Sequence, residues 1–352
     1  MSKSSKKLYR FLLILLSIVL VFVAFRMIRN SPNKTNEATR YILAMDTVIK
    51  LTAYGDNSSL AISLAISRLY ELENLLSATY SISDVVRIRN NAGSERTRIS
   101  VDTYNVIKSA LSYSELSGGS FDITIRPLVE LWGFGGNNPS VPTYDDICVA
   151  MDLVDYTRIR LYNDHTILLG EGMKIDLGAI AKGYAADEIA KIFDEYSLSG
   201  GIIDIGGNIL TYGSNPKSGD GTFRIGVADP FDAEGSQVLY VDVAGLSLVT
   251  SGDYQRFFVE DDISYHHIID PKTGYPADSG LRSVTILAPS STDADALSTC
   301  VFLLGEEAGM ELIESLQGIE CILITNDKRI IASSNLSGKM DLLSYDYSLS
   351  FR

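Results

Sequence analysis

Residues 174–210 read KIDLGAIAKGYAADEIAKIFDEYSLSGGIIDIGGNIL, and this stretch decides the class of fold. Ile175-Asp176 reads as the end of a strand that leads through Leu177-Gly178 into a helix near residues 180–196. Gly201 to Leu210 follows as a short buried strand with a double-glycine turn at Gly206-Gly207. Outward from here no regular strand-helix-strand rhythm develops. Toward the N-terminus, Ile42 to Tyr54 reads as a strand, and Ile62, Ile66, Leu69, Leu72 and Leu76 form a helical stripe within residues 59–77. Asp102 can cap a second helix that runs through Leu116 and closes at Gly118-Gly119. Phe121 to Pro142, rich in Gly, Pro and Asn around the only tryptophan, Trp132, reads as a structured loop. Toward the C-terminus, strands are expected at 223–228, 238–243, 246–250, 255–260 and 282–288, with a helix opening near Thr292. This irregular interleaving predicts an α+β fold rather than a doubly wound parallel sheet.

The chain has 352 residues, 46% hydrophobic and 21% charged, which is the composition of a folded globular protein. Length alone suggests two domains. No linker-like break follows residue 40, however, so residues 41–352 are expected to form one unit, with a division into two lobes left open. The net charge of −14 conceals an asymmetry: residues 1–30 carry six basic residues and no acid, so the remainder carries −20. An acidic body lacks the footprint needed for phosphate backbones, and nucleic acid is not expected as a partner.

Phe11 to Phe25 (FLLILLSIVLVFVAF) is uncharged and follows four basic residues. It is shorter than the ~20 residues a spanning helix usually needs, but it can span if Arg10 and Arg26 snorkel. The charge bias would keep the N-terminus cytoplasmic and place the body outside the cytoplasm. A cleaved signal peptide is the alternative, although no small-x-small site follows the run. The sequence favours an uncleaved single-pass anchor over residues 1–30, joined by a polar linker over 31–40. Cys148, Cys300 and Cys321 show no CxxC spacing and suggest neither a disulfide framework nor a zinc site. Single Cys148–Cys300 or Cys300–Cys321 bridges stand as alternatives to three buried thiols.

G-x-x-x-x-G-K-[ST], G-x-G-x-x-G and G-x-S-x-G are all absent. Three other segments carry chemistry. In Thr292-Asp293-Ala294-Asp295-Ala296-Leu297-Ser298-Thr299, a helix capped by Thr292 would set Asp295, Ser298 and Thr299 on one face. These are hard oxygen ligands that suit Mg²⁺, unless Asp295 merely completes a capping box. In His266-His267-Ile268-Ile269-Asp270-Pro271-Lys272-Thr273-Gly274-Tyr275-Pro276, a plain strand and turn competes with a base, His267, oriented by Asp270. In Lys174 to Tyr184, Gly178 and Gly183 allow either tight helix packing or close approach of an anion to a helix N-terminus near Lys182.

With Met45-Asp46-Thr47, Ser77-Ala78-Thr79-Tyr80-Ser81, Gly118-Gly119-Ser120-Phe121-Asp122-Ile123, Leu131-Trp132-Gly133-Phe134-Gly135, Gly206-Gly207-Asn208 and Thr250-Ser251-Gly252-Asp253-Tyr254, these segments occur in an order that resembles the ApbE family of flavin transferases. The resemblance covers roughly residues 42–325. It implies a T-fold-related, membrane-tethered, extracytoplasmic enzyme that binds FAD. Such an enzyme transfers the FMN half to a Ser or Thr hydroxyl of an acceptor protein and releases AMP, with Mg²⁺ as cofactor. It assigns Asp295, Ser298, Thr299 and the carbonyl of Ala179 to the metal. It assigns Met45, Tyr80, Ser120, Phe121, Asp122, Asp176, Lys182 and Ile269 to FAD, with a one-residue shift open at Ile269. His267 is the expected base and Asp270 its positioning partner. Hydrolysis of FAD to FMN and AMP, and non-catalytic FAD binding, are the alternative functions. The chain departs from the family pattern in having Asp46 where Gly is usual, and in having no lipoprotein cysteine near its apolar N-terminal run.

Overall fold

Nine strands form one sheet whose spatial order repeats the chain order. They are β1 (Glu37–Ala44), β2 (Thr47–Tyr54), β3 (Gly200–Ile205), β4 (Asn208–Gly213), β5 (Ser247–Gly252), β6 (Leu281–Ala288), β7 (Glu320–Thr325), β8 (Arg329–Ala332) and β9 (Ser348–Phe351). Neighbours are antiparallel throughout, except β8 and β9, which run parallel. This computed structural model describes residues 36–352, apart from 135, 137 and 233.

Two tight turns shape one end of the sheet. Met45 and Asp46 alone join β1 to β2, at φ of 52° and 57°. A two-residue hairpin turn of this kind requires positive φ at both positions, which Gly adopts freely and Asp tolerates better than most residues. The strand expected over Ile42–Tyr54 is therefore a hairpin, and β1 begins inside the stretch read as a linker. With no glycine to mark the turn, apolar character runs through it in sequence. Gly206 and Gly207 likewise turn β3 into β4, so the segment Gly201–Leu210 is also a hairpin. A Cβ on Gly206 would meet the Thr47 hydroxyl at 2.1 Å, which packs the two turns side by side.

Four long helices cover one face: α1 (Ser58–Leu76), α2 (Val101–Leu116), α3 (Ala181–Glu195) and α4 (Ser291–Glu314). The first three share a core with Ile49 and Leu51 of β2 and Ile203 and Ile205 of β3. Helix α4 packs on Val249 of β5, Val284 and Ile286 of β6, and Leu323 of β7. A small antiparallel sheet (Phe223–Ala228, Gln237–Val243, Met340–Leu342) covers Leu248, Leu287, Ile322 and Ile324 on the opposite face. Both faces of the central strands are thus buried, and β7 is apolar almost throughout, whereas β1 leaves Tyr41 and Leu43 exposed. The result is an α+β architecture in three layers, and residues Glu37–Arg352 form one compact unit.

Three local expectations change. No strand leads directly into α3, since Lys174 makes only an isolated bridge to Ile125. The caps of α2 and α4 are Ser100 and Ser290, rather than Asp102 and Thr292. The loop around Trp132 contains a short helix, Arg126–Leu131, and the buried indole donates to the Gly274 carbonyl at 2.8 Å. Cys148, Cys300 and Cys321 are all free thiols, with Cys148 only partly buried. The expected anchor at Phe11–Phe25 lies outside the described residues, among which no helix is long and apolar enough to cross a membrane.

The closest helix contact is between α3 and α4. A Cβ on Gly183 would lie 2.2 Å from the Ser291 carbonyl oxygen and 2.7 Å from the Asp295 Cβ, so only glycine permits this approach. Gly183→Ala is expected to cost about 1–3 kcal/mol through overpacking. A denaturant midpoint unchanged from that of the parent chain would show that the two helices can part freely.

Candidate active site

The α3–α4 contact carries the first half of the site. Asp187 of α3 accepts from the Ser291 amide at 2.8 Å, the Thr292 amide at 2.9 Å, the Thr292 hydroxyl at 2.6 Å and the Ser290 hydroxyl at 3.1 Å. It thereby engages two free amide donors of the first turn of α4 and places a negative charge at the positive end of that helix. One turn further along, Asp295 is buried, and its Oδ2 accepts from the Gly183 amide at 2.8 Å. Asp295 is therefore no capping-box residue; its partner is across the helix contact. Burial pushes its carboxyl upward, against the charge of Lys182.

Thr299 lies one turn from Asp295. The Ser298 hydroxyl points elsewhere, donating to the Asp295 carbonyl at 2.8 Å and meeting the Ser251 hydroxyl at 2.8 Å. This fully buried hydroxyl is committed to protein partners and does not match the ligand role expected for it. Ala179 precedes the first turn of α3, and among the described residues no backbone donor reaches its carbonyl. No group of three His, Cys, Asp or Glu side chains able to hold a metal exists among the described residues. A cation here would rest on one carboxylate with hydroxyl and carbonyl oxygens, a donor set that fits Mg²⁺ and suits softer metals poorly.

His267 forms the second half. It follows the hairpin Phe257–Glu260/Ile263–His266, which is held against Trp132 by Phe258 and Tyr265. Its Nδ1 is 3.2 Å from the Arg256 carbonyl, which can only accept, so the proton belongs on Nδ1 and the lone pair on Nε2. Burial, then the charges of Arg256 and Lys182, push its pKa down to about 4. Asp270 is not its positioning partner: that carboxylate accepts from the Lys272 amide at 2.9 Å and shapes the following turn. The backbone carbonyl does what Asp270 was expected to do.

Lys182 acts electrostatically on both Asp295 and His267, which links the two halves. Arg256 reaches the Asp46 carbonyl at 3.4 Å and so joins the Met45-Asp46 turn to His267. Glu73 accepts from the Met45 amide at 2.7 Å and from the Tyr80 hydroxyl at 3.4 Å, beside an open groove of about 410 Å³ lined by Leu43, Asp46, Val48 and Tyr80. Lys272 donates to the Ser120 hydroxyl at 3.0 Å. Asp122 is spent locally on Thr124 and the Tyr156 amide. Asp176 is held by Arg126 and accepts from the Gly178 amide. Phe121 and Ile269 are buried in the core, so only their backbone remains available to a ligand. Sequence reasoning missed Glu73, Asp187, Ser251, Arg256 and Lys272. Of these, Ser251 and Lys272 stood inside segments already singled out for their chemistry, and none belongs to a motif that names its partner.

The pattern of the ApbE family matches residues 45–323. The chain is 34% identical over 335 residues to an FAD:protein FMN transferase of Treponema pallidum, covering 90% of this chain and 92% of that one. It is also 34% identical over 298 residues to one of Klebsiella pneumoniae, covering 82% and 90%. Among solved structures, an ApbE protein of Thermotoga maritima superposes with a TM-score of 0.79 at 31% identity, over 86% of this chain and 99% of that one. The flavin transferase ApbE of Vibrio cholerae gives 0.77 at 28% identity, over 87% and 99%. Fold, site and relatives together define an enzyme of the transferase class. The chain belongs to the ApbE family.

Because folding lowers the His267 pKa from an ordinary ~6.5, its neutral form contributes stability above pH 6.5 that is lost as pH falls toward 4. In NMR titrations of the ligand-free protein, His267 is expected to titrate near pH 4, and Arg256→Ala to move that midpoint upward. A midpoint at the ordinary histidine value in both proteins would contradict the burial and charge argument.

Proposed function

We propose that this chain transfers the FMN half of FAD to a Ser or Thr hydroxyl of an acceptor protein, releasing AMP, with Mg²⁺ as cofactor. The observation that carries this reading is the convergence on Lys182 of a neutral, correctly tautomeric His267 and a buried oxygen-donor set at Asp295. Relatives that share most of the chain and bear the name FAD:protein FMN transferase support it.

His267 Nε2 takes the proton of the acceptor hydroxyl, whose oxygen forms a bond to the phosphorus on the FMN side. The pyrophosphate bond breaks and AMP departs with the bridging oxygen. When bound, Mg²⁺ would supply positive charge to the phosphate oxygens as that bond breaks. Asp295, Thr299 and the Ala179 carbonyl would hold it. Lys182 and Arg256 supply fixed positive charge near the reacting phosphates, and their pairing with an anionic substrate would relieve the depression of His267 and raise its basicity. The Met45-Asp46 turn, Tyr80, the Ser120 segment and the backbone at Ile269 offer the surroundings of the flavin dinucleotide. General-base assistance of this kind is typically worth about 10²–10⁴-fold.

The test is to incubate the full chain with FAD, Mg²⁺ and a candidate acceptor domain and to read the acceptor's mass. A gain equal to FMN supports transfer, whereas free FMN and AMP with unmodified acceptor means hydrolysis, and intact FAD means binding alone. Asp295→Ala is expected to lose Mg²⁺-dependent turnover. His267→Ala should slow transfer by about 10²–10⁴-fold with FAD still bound.

We further propose that residues 1–30 form a single-pass anchor, with the catalytic unit outside the cytoplasm. In intact cells, the body should then be open to external protease and stay with membranes after alkaline washing. Recovery in the cytosol after lysis would overturn the proposal.

A further inference from the structure

The hydroxyls of Ser251, Ser298 and Thr299 beside Asp295 fix their own proton directions. The Ser298 hydroxyl donates to the Asp295 carbonyl, which uses its only proton. The 2.8 Å contact between Ser298 and Ser251 therefore needs a proton from Ser251. With that proton committed, the 3.3 Å contact between Ser251 and Thr299 must be donated by Thr299. The chain runs in one direction: Thr299 to Ser251, Ser251 to Ser298, Ser298 to the Asp295 carbonyl. The reverse order would leave two oxygens 2.8 Å apart with no proton between them. Ser298 is fully buried, and the half-buried Ser251 lies on β5 against this face of α4.

We infer that Ser251 is a positioning residue for the cation site: by taking the Thr299 proton, it turns the Thr299 lone pairs outward as a ligand oxygen. A hydroxyl whose proton is free to rotate must be reoriented each time a cation binds, whereas one already donating to a fixed acceptor is preorganised. Ser298 is the terminal relay of this chain, and its role ends at the Asp295 carbonyl. The inference rests on the proposed Mg²⁺ site and extends it to a residue on a different element, 48 positions away from Thr299.

The experiment titrates Mn²⁺, a paramagnetic hard cation, into the full chain and reads free Mn²⁺ by electron paramagnetic resonance. Ser251→Ala is expected to weaken binding by about 10-fold or more, as loss of a group that orients a metal ligand typically does. Ser251→Thr, which keeps the hydroxyl, should restore most of it. In turnover, Ser251→Ala should raise the Mg²⁺ concentration giving half-maximal rate, with kcat recovering at saturating Mg²⁺. If Ser251→Ala does not fold, Ser251→Cys keeps the side-chain bulk with a weak donor and is expected to show the same weakening. Mn²⁺ affinity unchanged in Ser251→Ala, while Asp295→Ala loses it, would falsify the relay and leave the cation site standing. Mn²⁺ binding that survives Asp295→Ala unchanged would instead remove the site on which the inference depends.

Discussion

The structure depends on how closely α3 approaches α4. Gly183 has no side chain because the Ser291 carbonyl and Asp295 occupy that space. The amide exposed by this close fit is the one that binds the Asp295 carboxylate. One turn along α3, Asp187 engages donors of the opening turn of α4. Packing, capping and placement of a buried acid are therefore one contact. A buried carboxylate is costly unless it is bonded and compensated, and here an amide and a nearby lysine meet part of that cost.

The sheet delivers the rest. β5 brings Ser251 against α4, and the segment after β5 passes through Arg256 into the hairpin that ends beside His267. The aromatic packing of Trp132, Phe258 and Tyr265 stiffens that hairpin from below. The Met45-Asp46 turn reaches the same place from the far end of the chain through the Arg256 contact with Asp46. Segments that are remote in sequence thus meet around Lys182, whose charge acts on both His267 and Asp295.

Much of this was legible in the residues. The apolar stripe of α1, the helix opening near Thr292, the Gly206-Gly207 turn and the oxygen-rich face of α4 all follow from local spacing. What was not legible depended on tertiary partners. Thr292 looks like a cap until Asp187, distant in sequence, supplies the carboxylate that binds it. Asp270 looks like the partner of His267 because it is three residues away, yet a backbone carbonyl from residue 256 takes the place, and carbonyls leave no mark in a sequence. Ser298 shares a helical face with Asp295 and Thr299, but its rotamer turns the hydroxyl back onto its own helix. The Met45-Asp46 turn escapes notice because it holds no glycine and Met45 gives no sign of a left-handed backbone.

Sheet order that follows chain order has a kinetic meaning. Hairpins β1–β2, β3–β4 and β7–β8 close over short loops, but the pairing of β2 with β3 joins Tyr54 to Gly200 across the whole helical segment between them. Loop-closure entropy grows with the length of chain enclosed, so this one seam carries the largest such penalty in the sheet. Folding of the N-terminal hairpin alone cannot complete the layer; it waits for a strand made much later. A truncation before Gly200 would leave β2 with an open edge and α1 over an unfinished core, a species prone to pair with other chains.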